Sequence, residues 1–181
     1  TEPEPGRVIL VNDGRALWGA LPEGVRVRRL SEVLRSEPES VEGRLGALAP
    51  QRDFSALNAA LFTDGIVIDV APGTRLNEAI WLDHHAWAEQ ATVTYPRVLI
   101  RVGEGAECTL VERFVGEPAS QHLRDEVSEI DVCQNAQFRQ VRIHHGHPNR
   151  SHLTELAVSV AQDAAYSLSS IVFGGALVRL S

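Results

Sequence analysis

No methionine and no lysine occur among the 181 residues, and there are only two cysteines. With Met missing even at the first position and Ser181 falling inside a repeating region, the chain reads as a piece of a longer protein. All 17 basic residues are arginine, which we read as genomic base composition, because no tight basic cluster forms beyond Arg26, Arg28 and Arg29. Against 24 acidic residues this leaves a formal charge of -7. A sequence-independent grip on nucleic acid or anionic lipid needs a basic face and is excluded. No apolar run reaches the length of a membrane span, and Thr1-Glu2-Pro3-Glu4-Pro5 lacks the basic and apolar segments of a signal peptide, so a cytoplasmic protein is expected. In that reducing compartment Cys108 and Cys133 are expected as buried free thiols rather than a disulfide. What is present, 44% apolar residues, suffices to bury a core in one domain with at most a small appendage.

The most informative feature is a repeat. Val102-Gly103-Glu104-Gly105-Ala106-Glu107-Cys108, Val132-Cys133-Gln134-Asn135-Ala136-Gln137-Phe138 and Val160-Ala161-Gln162-Asp163-Ala164-Ala165-Tyr166 align without a gap. Gly105, Asn135 and Asp163 share one slot, and these residue types tolerate a left-handed backbone in a turn. Short β-branched or aromatic runs flank each turn: Val98 to Val102, Val127 to Val132 and Leu156 to Val160 before it, and Cys108 to Phe114, Phe138 to Ile143 and Tyr166 to Val172 after it. Strand, turn and strand recurring at a fixed long period is the signature of coil stacking. The fold class predicted is mainly β: a parallel β-helix, or solenoid, with a small N-terminal α/β capping region. The alternative, hairpins in a sandwich, would place turns closer together.

Residues 1–52 read as the α/β cap and 53–181 as a capping helix plus β-helix core. In the first part Val8 to Val11 and Val25 to Leu30 are strands, with turns at Asn12-Asp13-Gly14 and Leu21-Pro22-Glu23-Gly24. Ser31 caps a short helix through Arg35, and Val41, Leu45 and Leu48 form a second helical stripe ended by Pro50. Asp53 opens the clearest helix, with Phe54, Leu57, Ala60 and Leu61 on one face and Asp64-Gly65 closing it through a left-handed residue. That face is expected to cover the first coil, so Leu57→Ala should cost about 2–4 kcal/mol. Ile66 to Val70, Leu76 to Leu82 and Arg97 to Val102 are further strands, with a Pro72-Gly73 turn.

Three constellations invite a chemical reading. His144, His145 and His147, with His152 nearby, resemble a metal cluster and would support a metal-dependent enzyme. The Gly, Pro and Asn that follow mark the segment as a loop leaving a strand, so solvated loop histidines are expected. His84 and His85 carry the same ambiguity. Asp125, Glu126, Glu129 and Asp131 are the carboxylates from which a polysaccharide-cleaving pair would be drawn, but they alternate with Val127, Ile130 and Val132 and read as a solvent-facing strand side. Three Trp and two Tyr make no aromatic ladder for a sugar groove. Gly103-Glu104-Gly105 and Gly174-Gly175 lack the strand-to-helix context of a phosphate loop. No catalytic, cofactor-binding or metal-binding residue is assigned.

Phe54 to Gly65, the strand Pro96 to Ile100, the run Glu104-Gly-Ala-Glu-Cys-Thr-Leu-Val-Glu-Arg-Phe-Val-Gly116 and Gly174-Gly175-Ala176-Leu177-Val178-Arg179, taken in order, resemble the SufB/SufD family of iron–sulfur cluster assembly proteins. The wording Leu57-Asn58-Ala59-Ala60-Leu61 and the scarcity of cysteine are most like the SufD branch. The resemblance implies a right-handed parallel β-helix and a non-catalytic scaffold role beside SufB and the ATPase SufC. It also implies an iron–sulfur cluster held only in the full complex, with no cofactor in this chain. Family members continue well past the point where this chain stops, through the regions that meet SufB and SufC. No residue here therefore inherits those roles, and the isolated chain is expected to self-associate as a homodimer through its exposed C-terminal rung.

Overall fold

A computed structural model describes residues 3–12, 15–49, 53–116 and 119–181. Asp13 and Gly14 of the expected first turn and Pro50 lie outside the described residues. In chain order the elements are β1 (Arg7–Val11), β2 (Arg15–Trp18), β3 (Val25–Arg29), α1 (Leu30–Ser36), a single 3-10 turn Pro38–Ser40, and α2 (Asp53–Leu61). From there the chain is strands: β4 (Gly65–Val70), β5 (Ile80–His85), β6 (Thr92–Thr94), β7 (Arg97–Val102), β8 (Glu107–Val115), β9 (His122–Val132), β10 (Gln137–His145), β11 (Arg150–Val160), β12 (Ala165–Phe173) and β13 (Leu177–Leu180).

The chain alternates between two sheets. Sheet A runs β2-β1-β5-β8-β10-β12 and sheet B runs β3-β4-β7-β9-β11-β13, with β6 beside β9. Every ladder from β4 onward is parallel. A chain that leaves one sheet and returns to the other, always in the same direction, is a solenoid, here of about four turns. The repeat predicted this stacking. Val102 pairs with Val132, and Val132 with Val160, in one ladder. The Ala106 carbonyl accepts the Gln137 N–H at 2.8 Å, and the Ala136 carbonyl accepts the Ala165 N–H at 2.9 Å. Gly105, Asn135 and Asp163 take φ of 65°, 60° and 58°, the left-handed conformation that lets each coil turn the same corner.

Alternate residues of each strand point into the solenoid. Ile66, Ile68, Val70, Val98, Ile100, Ile130, Val132, Leu82, Leu110 and Phe138 make its apolar interior. A second, outer layer covers sheet B: Leu30, Val33 and Val41 pack on Val67 and Leu99, which face away from the interior.

The end of the solenoid is covered by strands rather than by α2. β1 joins sheet A parallel to β5, β2 follows it antiparallel, and β3 closes sheet B antiparallel to β4. Helix α2 instead lies on the outside of sheet B and buries Ser55 and Asn58, leaving Phe54, Leu57 and Leu61 exposed at 40%, 43% and 46%. The apolar stripe predicted as the buried face is therefore the outer one. Asn58 explains the reversal: its amide donates to the Asp125 carbonyl at 2.8 Å and the Pro96 carbonyl at 3.3 Å, while its oxygen accepts from Arg97 Nε at 2.8 Å. Three satisfied polar contacts to two strands hold the helix in place of an apolar seam.

Other local readings change for tertiary reasons. Helix α1 has no side-chain cap of its own; the Ser31 N–H donates to Asp64 Oδ1 at 2.9 Å, 33 residues on. The expected helix through Val41, Leu45 and Leu48 is a run of turns, tied down where Glu129 accepts the backbone N–H groups of Gly46, Leu48 and Ala49 at 2.8, 2.9 and 3.1 Å. Gly65 does not adopt a left-handed backbone. It begins β4, and a Cβ there would collide with the Arg97 carbonyl oxygen. Arg26, Arg28 and Arg29 are paired with Glu37, Asp69 and Asp64 and form no open basic face. No helix among the described residues is long and apolar enough to cross a membrane.

Candidate functional site

The strands β9 and β11 begin well before the β-branched runs that announce them, at His122 and Arg150. Their polar leading halves are therefore strand, with every second residue turned inward. Opposite them, β8 and β10 end in polar residues whose inward members face the same space. The result is a buried ionic layer: His84, Glu112, Arg124, Glu126, Gln140, Arg142, His144 and His152 are all at most 5% exposed.

Two carboxylates and two guanidiniums organise it. Glu126 accepts Arg124 Nε and Nη2 at 2.8 and 2.7 Å, and also pairs with Arg142 Nη2. Arg142 Nε lies 3.2 Å from Glu112 Oε2. Glu112 faces His84 Nε2 at 3.0 Å and accepts the Gln140 amide at 2.5 Å, and Gln140 in turn accepts the Tyr166 hydroxyl at 2.6 Å. Arg124 contacts His84 Nδ1 at 2.7 Å and donates to the Asn12 carbonyl at 2.9 Å. Serine joins too, with Ser128 Oγ donating to Glu126 at 3.1 Å.

Register places the aromatic members. His84 pairs with Phe114 and Phe114 with His144 on successive rungs, so the three rings stack at 4.4 and 4.3 Å within 4° of parallel. The Arg142 guanidinium lies 4.7 Å from the Phe114 ring centre. His152, from sheet B, brings Nδ1 within 3.2 Å of His144 Nδ1, and its Nε2 meets Thr154 Oγ1 at 3.0 Å.

The electrostatics follow from this geometry. Burial would raise both glutamates, but Arg142 and Arg124 beside Glu126 hold it well below the ordinary carboxylate range, and Arg142 with His84 lowers Glu112. Burial, then the positive Arg124, depresses His84; burial depresses His152 strongly; and burial, then Arg142, takes His144 down to about 4. At neutral pH the layer is two carboxylates, two guanidiniums and three neutral imidazoles. Burial also pushes the Tyr166 hydroxyl and the Cys108 thiol up to about 12. Cys108 pairs with Phe138 while Cys133 sits in the next turn, and both thiols are free.

The layer is closed. Two cavities touch it, one lined by His84, Phe114, Arg124 and His152 and the other by Phe114, His144, Arg150 and His152, and each measures about 10 Å³, which is room for one water.

The sequence-level constellations fare differently. His144, expected in a solvated loop, is 2% exposed inside the solenoid. His145, its strand neighbour, points the other way and stacks on Phe173 at 5.8 Å, and His147 lies in the following turn. The three do not converge, and no group of three or more His, Cys, Asp or Glu side chains among the described residues is placed to hold a metal. His84 is in the ionic layer and His85 is not. The carboxylates expected on a solvent-facing strand side are mostly buried: Glu126 inward, Asp125 and Glu129 outward beneath the outer layer, with only Asp131 part-exposed. Glu129, held by three N–H groups and by Arg97 Nη1 at 3.1 Å, is a structural anchor. The one available signal for the layer was the alternation in Arg124-x-Glu126-x-Ser128, followed by the inward Ile130, and in Gln140-x-Arg142-x-His144, preceded by the inward Phe138.

Fold and interior together define the class: a two-sheet parallel β-solenoid whose buried charges are paired with one another. Residues 85–181 match the family model for the SUF system FeS cluster assembly SufBD core domain, and residues 9–82 match that for the SufBD protein N-terminal region. The chain belongs to the SufBD family. It is 24% identical over 174 residues to the iron-sulfur cluster assembly protein SufD of Escherichia coli (strain K12), covering 96% of this chain and 36% of that protein. An iron-sulfur cluster assembly SufBD family protein of Synechocystis sp. is 24% identical over 169 residues, 88% of this chain and 37% of that one. The chloroplastic protein ABCI7 of Arabidopsis thaliana is 25% identical over 170 residues, 88% and 35% respectively. The chain thus spans little more than a third of the length of these relatives.

Proposed function

We propose that this chain is the N-terminal part of a SufD-like scaffold: a non-catalytic component of iron–sulfur cluster assembly that works with SufB and SufC and holds no cluster by itself. The observation that supports the reading is the pair of family matches running in order along one continuous solenoid. The interior agrees with it. Its titratable groups are bound to each other beside cavities of single-water size, an arrangement suited to fixing strand register rather than to turning over a substrate. A metal-dependent enzyme built on His144, His145 and His147 loses its support because those side chains diverge.

The test has two arms. Anaerobic incubation of the purified chain with ferrous iron and sulfide should leave it colourless; a stable brown protein with stoichiometric iron and sulfide overturns the reading. The protein carrying this chain at its natural length should co-elute with its own SufB and SufC on size exclusion. Separate elution from both removes the assembly role.

A further inference from the structure

The second of the small cavities beside the ionic layer, of about 10 Å³, has His144, Arg150, His152, Phe114 and Val178 on its walls and, among the described residues, no carboxylate. Gly146 and Gly174 line it too, and a Cβ on Gly146 would stand 2.2 Å from the Gly174 carbonyl carbon, so these two turns pack backbone to backbone. Two members call for an account. His144 is 2% exposed, and its Nε2 has no hydrogen-bond partner among the described residues. Arg150 is 8% exposed and donates through Nη1 to the Gly116 carbonyl at 3.2 Å, yet no carboxylate among the described residues pairs with it. Burial, then the positive Arg124, lowers its guanidinium, and no acid acts on it in the other direction. A guanidinium withdrawn from water is ordinarily met by an anion. With Arg150 counted, three buried guanidiniums, Arg124, Arg142 and Arg150, face the two carboxylates of Glu112 and Glu126.

The hydrogen-bond row beside the cavity assigns the protons. The Thr154 hydroxyl makes one hydrogen bond among the described residues, to His152 Nε2 at 3.0 Å, so its proton is used only by donation to that nitrogen. His152 then carries its own proton on Nδ1 and donates to His144 Nδ1 at 3.2 Å. The His144 proton is left on Nε2, the atom without a partner.

We infer that this cavity is a binding site for a single-atom monovalent anion, a halide, held between the His144 Nε2–H and the Arg150 guanidinium. A halide is close to water in size, which the space allows, whereas a polyatomic anion is too large for it. The ion supplies the negative charge that Arg150 otherwise lacks, and Phe114 and Val178 complete the wall with apolar surface.

The experiment has two arms on the full chain. Crystals grown in sodium bromide, with diffraction recorded at the bromine absorption edge, should show an anomalous peak in contact with His144 Nε2 and Arg150. In urea unfolding at fixed ionic strength, with chloride exchanged for the larger gluconate, the unfolding equilibrium constant should fall about tenfold for each tenfold rise in chloride above its dissociation constant, the behaviour of one anion bound by the native state alone. Arg150→Met should lose that dependence, while Arg139→Met, an exposed charge on β10, should keep it. His144→Phe, which preserves a ring against Phe114 and removes the donor, serves if Arg150→Met does not fold. A water in place of the anomalous peak, the same stability in chloride as in gluconate, or a chloride dependence unchanged in the cavity variant overturns the inference.

Discussion

The two halves of the solenoid interior are built on opposite rules. Beside the turns, residues stack on their own kind: Val102 on Val132 on Val160, with Ala106, Ala136 and Ala164 in the adjoining slot. Farther from the turns, on β5, β8 and β10, rung neighbours are unlike: His84 on Phe114 on His144, and Leu82 on Glu112 on Arg142. Parallel, in-register strands bring equivalent positions to about 4.8 Å, the strand spacing. Apolar side chains gain from facing copies of themselves at that distance. Identical charges are repelled, the more strongly for being buried. A repeat can therefore be written in the apolar half, whereas the ionic half must break it.

If the ionic half is held by mutual compensation, removing one charge should do more harm than removing apolar volume. Arg142→Met leaves Glu112 and Glu126 short of a partner, for a loss of about 3–5 kcal/mol in urea unfolding. Adding Glu126→Gln should recover part of it, and a double variant no more stable than the single one ends the account of paired charges. The same half should make the protein acid-sensitive. His144 has a folded pKa of about 4 against 6.5 unfolded, so as pH falls the unfolded chain binds protons first. Its contribution is complete above about pH 6.5 and is lost progressively down through pH 4, with His84 and His152 acting in the same direction. The slope of stability between pH 6.5 and 4 should flatten in His144→Gln.

Smaller effects separate polar anchoring from apolar packing on the outside. Asn58→Ala removes the contacts that seat α2 and should cost about 1–3 kcal/mol, while Leu57→Ala, at an exposed position, should stay within about 0.5 kcal/mol. A larger loss for Leu57 than for Asn58 in thermal melts would restore the helix as an apolar cap. Asn135→Val, which puts a β-branched residue at φ 60°, should cost about 1–2 kcal/mol, with Asn135→Gly near neutral.

Much of the β architecture was legible because its signals are local. The left-handed slot at Gly105, Asn135 and Asp163 needs only residue type, and the stacked valines need only a period. The ionic layer was not legible for the reverse reason. Arg124, His152 and Thr154 precede the β-branched runs, and only pairing with the rung below makes them strand, while Glu126 reads as a solvent-facing strand side that the coil turns inward. His144 sits one residue before His145-Gly146 and looks solvated, yet alternation turns it inward while His145 turns out. The stripe Phe54, Leu57, Ala60, Leu61 misled because periodicity identifies a face and not what lies against it.

The sequence by itself determined the strands, the corner residues, the parallel stacking that a gapless repeat imposes, and the SufB/SufD resemblance, all consequences of residue type and spacing along one chain. Tertiary structure decided which charges meet inside, which face of α2 is buried, and that Asp64 rather than Ser31 caps α1. Those outcomes depend on groups 16 to 67 residues apart, as Arg142 is from Glu126 and Asn58 from Asp125. A carboxylate buried at a cost alone is stable only when the fold delivers a guanidinium to it.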